Sequence, residues 1–424
     1  MSEEKKKIKI FVISDHPFAP SGVGTQTRYM IETLLNTGKY QFVCFGGAIK
    51  HPDYAPQQTE QYKEDLIIYP VDGYGSQEQV RSLLWSHKPD IVWFMTDPRF
   101  YGWLWDMENE IRAVAPMVYY HVWDNYPYPT FNKISYESTD VVFTISKVTD
   151  DIVKTVAPSV ESHYLPHSVN SNVFRALSVS EVSELRKQQL GDDNEDVCVF
   201  FWNNRNARRK QSGSLMWWFD EWAKEHNIVD KVKLIMHTDP KDPHGQDLEQ
   251  IMRERDALGG HILLSREKID QTQLAAIYNV ADCTINISDA EGFGLATLES
   301  LSCGTPIIVN MTGGLQEQVT DGEEWFGIGI EPSSKAIIGS QEVPFIYEDR
   351  INEKDFKDAL TKIYKMSREE RRELGLKGRS HVERNYNFDN MCEQWIEHMD
   401  NIHEKYGSWE NRKIYEPWKF EEIA

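Results

Sequence analysis

Two glutamates, Glu291 and Glu299, stand eight positions apart in the segment 288–299, which also contains Gly292 and Gly294. The segment is typical of a glycine-containing loop that leads into a short helix, and Gly304 then ends the helix before an apolar strand. If the helix begins near Gly294, its first N–H groups form an anion site, and Glu299 lies about 7–8 Å further along the axis. Two carboxylates on either side of a phosphate-sized site suit a sugar nucleotide. Two solvated helix-end glutamates are the alternative.

A second group of charged residues follows the apolar run 197–202. Arg205, Arg208, Arg209 and Lys210 place four cations within six residues of an acidic chain. Such a concentration of positive charge indicates a local anion. For Arg208 and Arg209 we favour a solvated turn over a further anion contact.

These two segments resemble family 4 of the retaining glycosyltransferases, in the GT-B superfamily and the glycosyl transferases group 1. Glu-Gly-Phe-Gly-Leu at 291–295, the second glutamate at position 299, Gly-Thr-Pro-Ile-Ile-Val at 304–309 and the glycine pair at 313–314 resemble its E-x7-E signature. The segment 203–210 resembles its Gly-Arg-x4-Lys loop, with Asn204 in place of the glycine. The resemblance implies a hexosyltransferase that moves a sugar from a UDP- or GDP-sugar to an acceptor hydroxyl.

The resemblance also implies roles for individual residues. Arg205 and Lys210 hold the donor diphosphate together with the helix start at Gly294 and Leu295, and they stabilise the charge of the departing nucleotide. Catalytic Glu291 orients the donor sugar. Glu299 binds the ribose. The nucleoside-diphosphate sugar is the co-substrate, and neither a metal nor another cofactor is obligatory.

The chain begins with an apolar strand at 8–14, a loop that contains Gly22 and Gly24, and an amphipathic helix at 25–36. This order is typical of the first unit of a doubly wound fold, whose loop lies at the ligand-binding edge of the sheet. Gly22 and Gly24 then bind the donor through close backbone amides, and an ordinary tight turn is the equally weighted alternative. His121 ends the strand at 118–121, where the family often has a histidine beside the donor sugar. It is our catalytic candidate, and a satisfied buried imidazole is the alternative.

Apolar runs that alternate with helices predict an α/β fold with parallel sheets. The length of 424 residues suits two domains. The resemblance implies two Rossmann-like doubly wound domains of the GT-B type with a deep cleft between them. We expect an acceptor domain at 1–170, a linker at 171–195 and a sugar-nucleotide domain at 196–387. A C-terminal helical segment at 388–424 is expected to cross back to the first domain.

Three further segments carry weaker predictions. The aromatic cluster at 93–105 is more typical of a core or subunit contact than of acceptor binding. The segment 325–350 is longer and more apolar than the family's usual finish, and we interpret it as a hairpin-like elaboration. The five scattered cysteines are expected to be reduced core residues. No group of side chains has metal-ligand spacing.

The net charge of −21 disfavours stable or indiscriminate binding of nucleic acid. Residues 1–170 contain 15 basic and 21 acidic residues, so the acidity is concentrated in the second part, and the first part is the better home for an anionic acceptor or a membrane surface. No apolar run approaches the length of a membrane span, and the N-terminus lacks a signal-peptide core. We therefore expect a cytoplasmic protein, either free or at the membrane periphery.

The partners follow from the implied reaction. They are a sugar-nucleotide donor and a hydroxyl acceptor, which is a glycan, a lipid-linked sugar, a small molecule or a modified nucleobase, and a homo-oligomer is left open. A phage-type glycosyltransferase that acts on modified DNA bases is one alternative. A catalytically inactive GT-B protein with a regulatory or scaffold role is another, and a sugar-nucleotide epimerase is a weaker rival.

Overall fold

Short apolar runs separated by amphipathic helices fold into two parallel sheets, each in its own unit of the computed structural model. The structure describes residues 6–191, 196–257 and 260–419. Unit 1 takes the chain up to His167 and again from Asp389, together with 340–344, and unit 2 takes the rest. The prediction of an α/β fold is confirmed.

The sheet of unit 1 has eight strands in the order β3-β4-β2-β1-β5-β6-β7-β8. Neighbouring strands are parallel except for β3 and β4, so the carboxyl ends of seven strands meet at one edge. The strands are β1 (Ile8–Ile13), β2 (Tyr40–Gly46), β3 (Gln57–Gln58), β4 (Leu66–Pro70), β5 (Ile91–Thr96), β6 (Met117–His121), β7 (Val141–Thr144) and β8 (Glu161–Tyr164).

The helices of unit 1 connect these strands, and one of them comes from the C-terminal part of the chain. They are α1 (Gly22–Asn36), α2 (Gln77–His87), α3 (Gly102–Trp105), α4 (Glu108–Arg112), α5 (Lys133–Glu137) and α6 (Lys147–Val156), with the C-terminal helix (Phe388–Tyr406) joining from Asp389. Helix α1 begins three residues earlier than predicted, because the hydroxyl of Ser21 accepts a hydrogen bond of 3.0 Å from the Gly24 N–H.

Unit 2 contains a six-stranded parallel sheet in the order β11-β10-β9-β12-β13-β14 and a separate antiparallel hairpin, β15-β16. The hairpin agrees with the elaboration predicted for 325–350. The strands are β9 (Cys198–Asn203), β10 (Val232–His237), β11 (Ile262–Ser265), β12 (Cys283–Asn286), β13 (Ile307–Asn310), β14 (Gly327–Ile330), β15 (Ser334–Ile338) and β16 (Ile346–Arg350).

Eight helices accompany the described strands of unit 2. They are α7 (Val179–Leu190), α8 (Ser212–Glu225), α9 (Leu248–Glu254), α10 (Gln271–Val280), α11 (Leu295–Ser302), α12 (Leu315–Val319), α13 (Glu353–Lys365) and α14 (Arg368–Asn385), so that Phe388–Tyr406 becomes α15. Helix α7 lies in the segment expected to be a linker, yet it is part of unit 2 because Arg186 is buried and donates to the Val280 carbonyl oxygen at 2.7 Å. The predicted linker residues 192–195 lie outside the described residues.

The core of unit 2 is formed by the apolar side chains of β9, β10 and β12 and by the inner face of α8. All five cysteines are free thiols, and four of them are buried, in agreement with the expected reduced core residues. Among the described residues, every helix is too short or too polar to cross a membrane.

Candidate functional site

The turn that begins α11 requires a glycine. Gly294 has a φ of +93°, and a Cβ at this position would lie 2.5 Å from the Leu315 side chain. The Gln318 amide holds the turn by donating hydrogen bonds to the carbonyl oxygens of Phe293 (2.7 Å) and Gly294 (3.1 Å). Helix α11 therefore starts at Leu295, as the sequence predicts, and its first N–H groups have no partner within the helix.

Glu291 and Lys210 form an ion pair three residues before this turn. Lys210 keeps only 9% of its side-chain surface exposed, so solvent screens the pair weakly. Burial alone would raise the pKa of Glu291, but the cations of Lys210 and Arg209 lower that pKa below its usual value. Asn286, at the end of β12, also donates to Glu291 at 3.3 Å. Glu291 is therefore ionised, and its two partners fix its orientation.

Glu299 lies on α11 and accepts a hydrogen bond of 2.7 Å from the Tyr278 hydroxyl. Asn203, the last residue of β9, donates to the same hydroxyl at 3.0 Å. Burial raises the pKa of Glu299 to about 7, and the hydrogen bond from Tyr278 only partly offsets this. Glu299 thus gains a proton near neutral pH, whereas Glu291 stays ionised.

The shifted pKa of Glu299 predicts how stability depends on pH. The pKa of Glu299 is about 7 in the folded protein, above the ordinary value of 4.5. Protonation of Glu299 therefore stabilises the folded state fully below about pH 4, and this stabilisation is lost as the pH rises through 7. Glu299→Gln keeps a partner for Tyr278 and abolishes the titration. We expect the variant to be more stable than the parent at pH 8, with a free energy of unfolding about 1–3 kcal/mol higher. At pH 4 the two free energies of unfolding should be equal.

Urea unfolding from pH 4 to 8 checks this expectation. Glu373→Gln, on the exposed face of α14, is the matched control and should follow the parent at every pH. A stability difference for Glu299→Gln that stays constant across the range would contradict the raised pKa.

The four cations of the loop 203–210 have partners inside unit 2. The Arg205 guanidinium donates to both carboxylate oxygens of Asp242, at 2.6 and 3.2 Å. Arg208 pairs with Glu348, and Arg209 donates to the Ala290 carbonyl oxygen at 2.7 Å. The sequence indicated that these cations meet an anion, and in the structure those anions include carboxylates of the protein itself.

The sequence favoured a solvated turn for Arg208, but the structure pairs this side chain with Glu348. Glu348 is almost completely buried, and it also accepts a hydrogen bond of 2.7 Å from Arg350. The hairpin β15-β16 brings this carboxylate to the loop. A buried carboxylate is stable only when it is paired, so Glu348 holds Arg208 in place.

The next residue of the hairpin fixes the loop that carries Glu291. The Asp349 N–H donates to the Asp289 carbonyl oxygen at 2.7 Å, and the Asp349 carboxylate accepts from the Thr312 hydroxyl at 2.9 Å. Burial and the nearby Glu348 raise the pKa of Asp289 to about 6, against a hydrogen bond from Gln211. Sequence reasoning missed Asp242, Asp289 and Glu348, and only the unusual length of 325–350 pointed toward one of them.

His121, in unit 1, is completely buried at the end of β6. Its Nδ1 lies 3.1 Å from the Tyr119 hydroxyl, and its Nε2 lies 2.8 Å from the Tyr136 hydroxyl. Burial lowers the pKa of His121 to about 3, so the imidazole is neutral. These contacts favour the satisfied buried imidazole over the catalytic histidine that we expected here.

Gly22 and Gly24, also in unit 1, form the first turn of α1, whereas the sequence predicted a loop. A Cβ on Gly24 would lie 2.8 Å from the His16 carbonyl oxygen and 2.9 Å from that of Ala19, so close packing already requires this glycine. Its N–H is engaged by Ser21, whereas Gly22 is exposed at the helix start. Of the two glycines, Gly22 is the exposed one, and a contact with the donor stays a prediction.

The aromatic cluster at 93–105 is mainly core, in line with the interpretation we preferred. Trp93, Phe94 and Tyr101 are completely buried, and the Tyr101 hydroxyl donates to the Ile13 carbonyl oxygen at 2.7 Å. Phe100 is the exception, because 41% of its surface is exposed.

The structure brings together five of the predicted site residues within unit 2, namely Lys210, Glu291, Gly294, Leu295 and Glu299, and it turns Arg205 toward Asp242. Gly22, Gly24 and His121 belong to unit 1. In the described parts of the chain, no three His, Cys, Asp or Glu side chains are arranged to hold a metal ion. Unit 2 thus contains a buried ion pair, the start of a helix and two carboxylates of different pKa, and an anion site there stays a prediction.

Comparisons with known proteins relate the chain to glycosyltransferases. Residues 241–381 match the family described as glycosyl transferases group 1. The chain is similar to D-inositol 3-phosphate glycosyltransferase 2 of Catenulispora acidiphila, with 44% identity over 54 residues that cover 13% of each chain. It is also similar to N-acetyl-alpha-D-glucosaminyl L-malate synthase of Bacillus anthracis, with 21% identity over 55% of this chain and 58% of that one. Both matches span less than two thirds of the relative.

Solved structures share the fold over nearly the whole chain. Sucrose-phosphate synthase from Thermosynechococcus elongatus superposes with a TM-score of 0.73 at 17% identity, covering 94% of this chain and all of that one. An Anabaena protein solved in complex with UDP and glucose gives a TM-score of 0.66 at 14% identity, covering 93% of this chain and all of that one. At such identities the likeness establishes the fold.

Proposed function

We propose that this chain, which belongs to the group 1 glycosyltransferases of the GT-B fold, transfers a hexosyl group from a nucleoside-diphosphate sugar to an acceptor hydroxyl with retention of anomeric configuration. The observation that carries the proposal is the buried Lys210–Glu291 pair three residues before the glycine turn of α11. A buried cation beside free helix N–H groups suits a diphosphate, and the adjacent ionised carboxylate suits sugar hydroxyls.

In the proposed reaction, the bond between the anomeric carbon and the diphosphate oxygen breaks as the acceptor oxygen bonds to that carbon on the same face. The acceptor proton passes to the departing diphosphate. Lys210 and the first N–H groups of α11 stabilise the negative charge that grows on the leaving group. Arg205 joins them by exchanging Asp242 for phosphate, which its exposed position permits.

The two glutamates take different parts in this reaction. Glu291, held by Lys210 and Asn286, accepts hydrogen bonds from hydroxyls of the donor sugar. Glu299 accepts hydrogen bonds from the ribose, and ligand binding favours its ionised form. The nucleoside-diphosphate sugar is the donor in this proposal, and the hydroxyl compound is the acceptor.

The nucleotide is proposed to be UDP, with GDP as the second choice. Support for UDP comes from the Anabaena structural neighbour, which was solved with UDP and glucose.

Isothermal titration with UDP, GDP and ADP, followed by the matching sugar nucleotides, tests the proposal. We expect micromolar binding of one nucleotide and a loss of about 10–100-fold in affinity for Glu299→Ala, which removes two hydrogen bonds to a charged group. NMR of the product then reports the anomeric configuration. Binding of none of these nucleotides would favour the inactive scaffold instead, and an inverted product would contradict retention.

A further inference from the structure

Aromatic and polar side chains gather at one edge of the unit 1 sheet, in the loops that follow β1, β2, β4 and β5. These four strands are neighbours in the order β4-β2-β1-β5 and run parallel, so their carboxyl ends meet at the edge where α/β sheets bind ligands. We name this group the edge cluster, and it consists of Asp15, His16, Phe18, His51, Tyr54, Tyr74 and Phe100.

Ring contacts connect the members of the edge cluster. The His16 ring lies 5.9 Å from the rings of both Phe18 and His51, and the His51 ring lies 6.1 Å from that of Tyr54. On the other side, the Tyr74 and Phe100 rings are 5.3 Å apart. The carboxylate of Asp15 joins the two sides, because it accepts a hydrogen bond of 2.9 Å from the Tyr74 hydroxyl.

Three of these aromatic side chains are exposed, although such residues are usually buried. The exposed fractions are 43% for Phe18, 54% for Tyr54 and 41% for Phe100. Single exposed aromatic residues are common, but three within one group of loops at a ligand-binding edge indicate a recognition surface. Trp93 and Phe94 are buried and pack in the core of unit 1, whereas packing in the core cannot be the role of the three exposed residues.

The polar groups at the centre of the edge cluster are hydrogen-bonded within the loops. His16 Nδ1 accepts a hydrogen bond of 3.1 Å from the Phe18 N–H, so its proton resides on Nε2, which faces Gln57. Burial lowers the pKa of His16 and raises that of Asp15, which also accepts a hydrogen bond of 2.6 Å from the Ser21 hydroxyl. These two buried side chains therefore fix the loops, and the lowered pKa of His16 disfavours a positive charge on its ring.

The charge of the four loops has the wrong sign for an anionic ligand. The segments 14–21, 47–58, 71–76 and 97–101 contain four aspartates against one lysine and one arginine. The arginine, Arg99, lies 3.6 Å from the Asp97 carboxylate and 4.9 Å from the centre of the Phe100 ring. Phosphate or carboxylate groups would meet net negative charge here, so an uncharged ligand is favoured.

We propose that the edge cluster binds the acceptor and that this acceptor is an uncharged carbohydrate. The exposed rings of Phe18, Tyr54 and Phe100 can stack on the C–H faces of a sugar ring, and the buried Asp15 and His16 hold the loops that carry these rings. The inference rests on the proposed glycosyl transfer. It differs from the acceptors in the names of the two relatives, which are a phosphate ester and a dicarboxylate. It also replaces our expectation that the first domain receives an anionic acceptor.

Saturation-transfer NMR tests binding without any need for turnover. The probes are maltose and methyl β-glucoside, each compared with glucose 6-phosphate, and the proteins are the parent, Tyr54→Ala, Phe18→Ala and Asp15→Asn. We expect signals from the uncharged sugars that fall about 3–10-fold in each variant, as expected for one stacking contact that is lost or displaced. Trp217→Ala removes an exposed aromatic residue on α8 of unit 2 and should leave the signals unchanged.

Transfer assays with the sugar nucleotide that binds then use the same acceptors. We expect the KM for the uncharged acceptor to rise about 10-fold in Tyr54→Ala, while the affinity for the nucleotide keeps its parent value. Failure of both uncharged sugars to bind, or a preference for the phosphorylated sugar, would overturn the inference. Failure of every sugar nucleotide to bind would instead overturn the proposed function, so the two outcomes are distinguishable.

Discussion

Lys210→Ala is expected to lower the turnover of sugar transfer by about 100–1000-fold, the range seen when one group that stabilises a developing anion is removed. The ammonium of Lys210 is the most deeply buried of the four cations in the loop 203–210, so its contribution to a departing diphosphate is weakly screened. Nucleotide binding should weaken less than turnover falls, because the charge on the leaving group grows in the transition state. Steady-state kinetics with the donor at saturation checks this.

Loss of Lys210 also leaves Glu291 without its cation, and an uncompensated buried carboxylate destabilises the fold. The double variant Lys210→Met/Glu291→Gln removes both charges and should recover thermal stability without recovering transfer. Lys357→Ala is the matched control, because Lys357 is 12% exposed and pairs with Glu221, Glu225 and Glu353 of unit 2. Undiminished transfer by Lys210→Ala would refute the assignment of Lys210 to the diphosphate.

Asp282→Ala is expected to lower the free energy of unfolding by about 3–5 kcal/mol, the range for breaking a buried ion pair. Asp282 precedes β12 and accepts hydrogen bonds from Arg186 Nη1 (3.1 Å), Arg371 Nε (3.0 Å) and the Val199 N–H (2.8 Å). Its removal leaves two buried guanidinium groups without their shared carboxylate. Urea unfolding followed by tryptophan fluorescence measures the loss.

The position of Asp282 separates this effect from catalysis. It lies at the amino end of β12, whereas Asn286 and Glu291 lie at or beyond the carboxyl end, so the folded fraction of the variant should keep its affinity for the nucleotide. Asp358→Ala removes an exposed partner of Lys354 and should change stability by less than about 1 kcal/mol. A loss of under 1 kcal/mol for Asp282→Ala as well would mean that the two arginines find other partners.

Much of the fold and part of the site could be predicted from local sequence. Alternating apolar runs and capped helices are properties of short segments, which explains why the parallel strands and the start of α11 were predicted close to their observed bounds. The pairing of Glu291 with Lys210 joins residues 81 positions apart, yet the resemblance named both, because each belongs to its own compact motif.

The partners of the other cations could not be predicted. Asp242 lies 37 positions after Arg205, and Glu348 lies 140 positions after Arg208, in segments without a motif of their own. His121 illustrates the same limit, because the Tyr136 hydroxyl that meets its Nε2 comes from α5. The edge cluster was missed because its members come from four loops, and only the sheet order makes those loops neighbours.

Because Arg205 holds the Asp242 carboxylate, a diphosphate bound as proposed would take the place of an internal anion at this arginine rather than of a dissolved counterion. In the structure, this cation is already neutralised by a carboxylate of the protein. Inorganic phosphate, which brings no ribose or sugar contacts, would have to displace the same carboxylate without any compensating interaction. If the proposed function holds, the site is expected to bind a whole sugar nucleotide in preference to free phosphate.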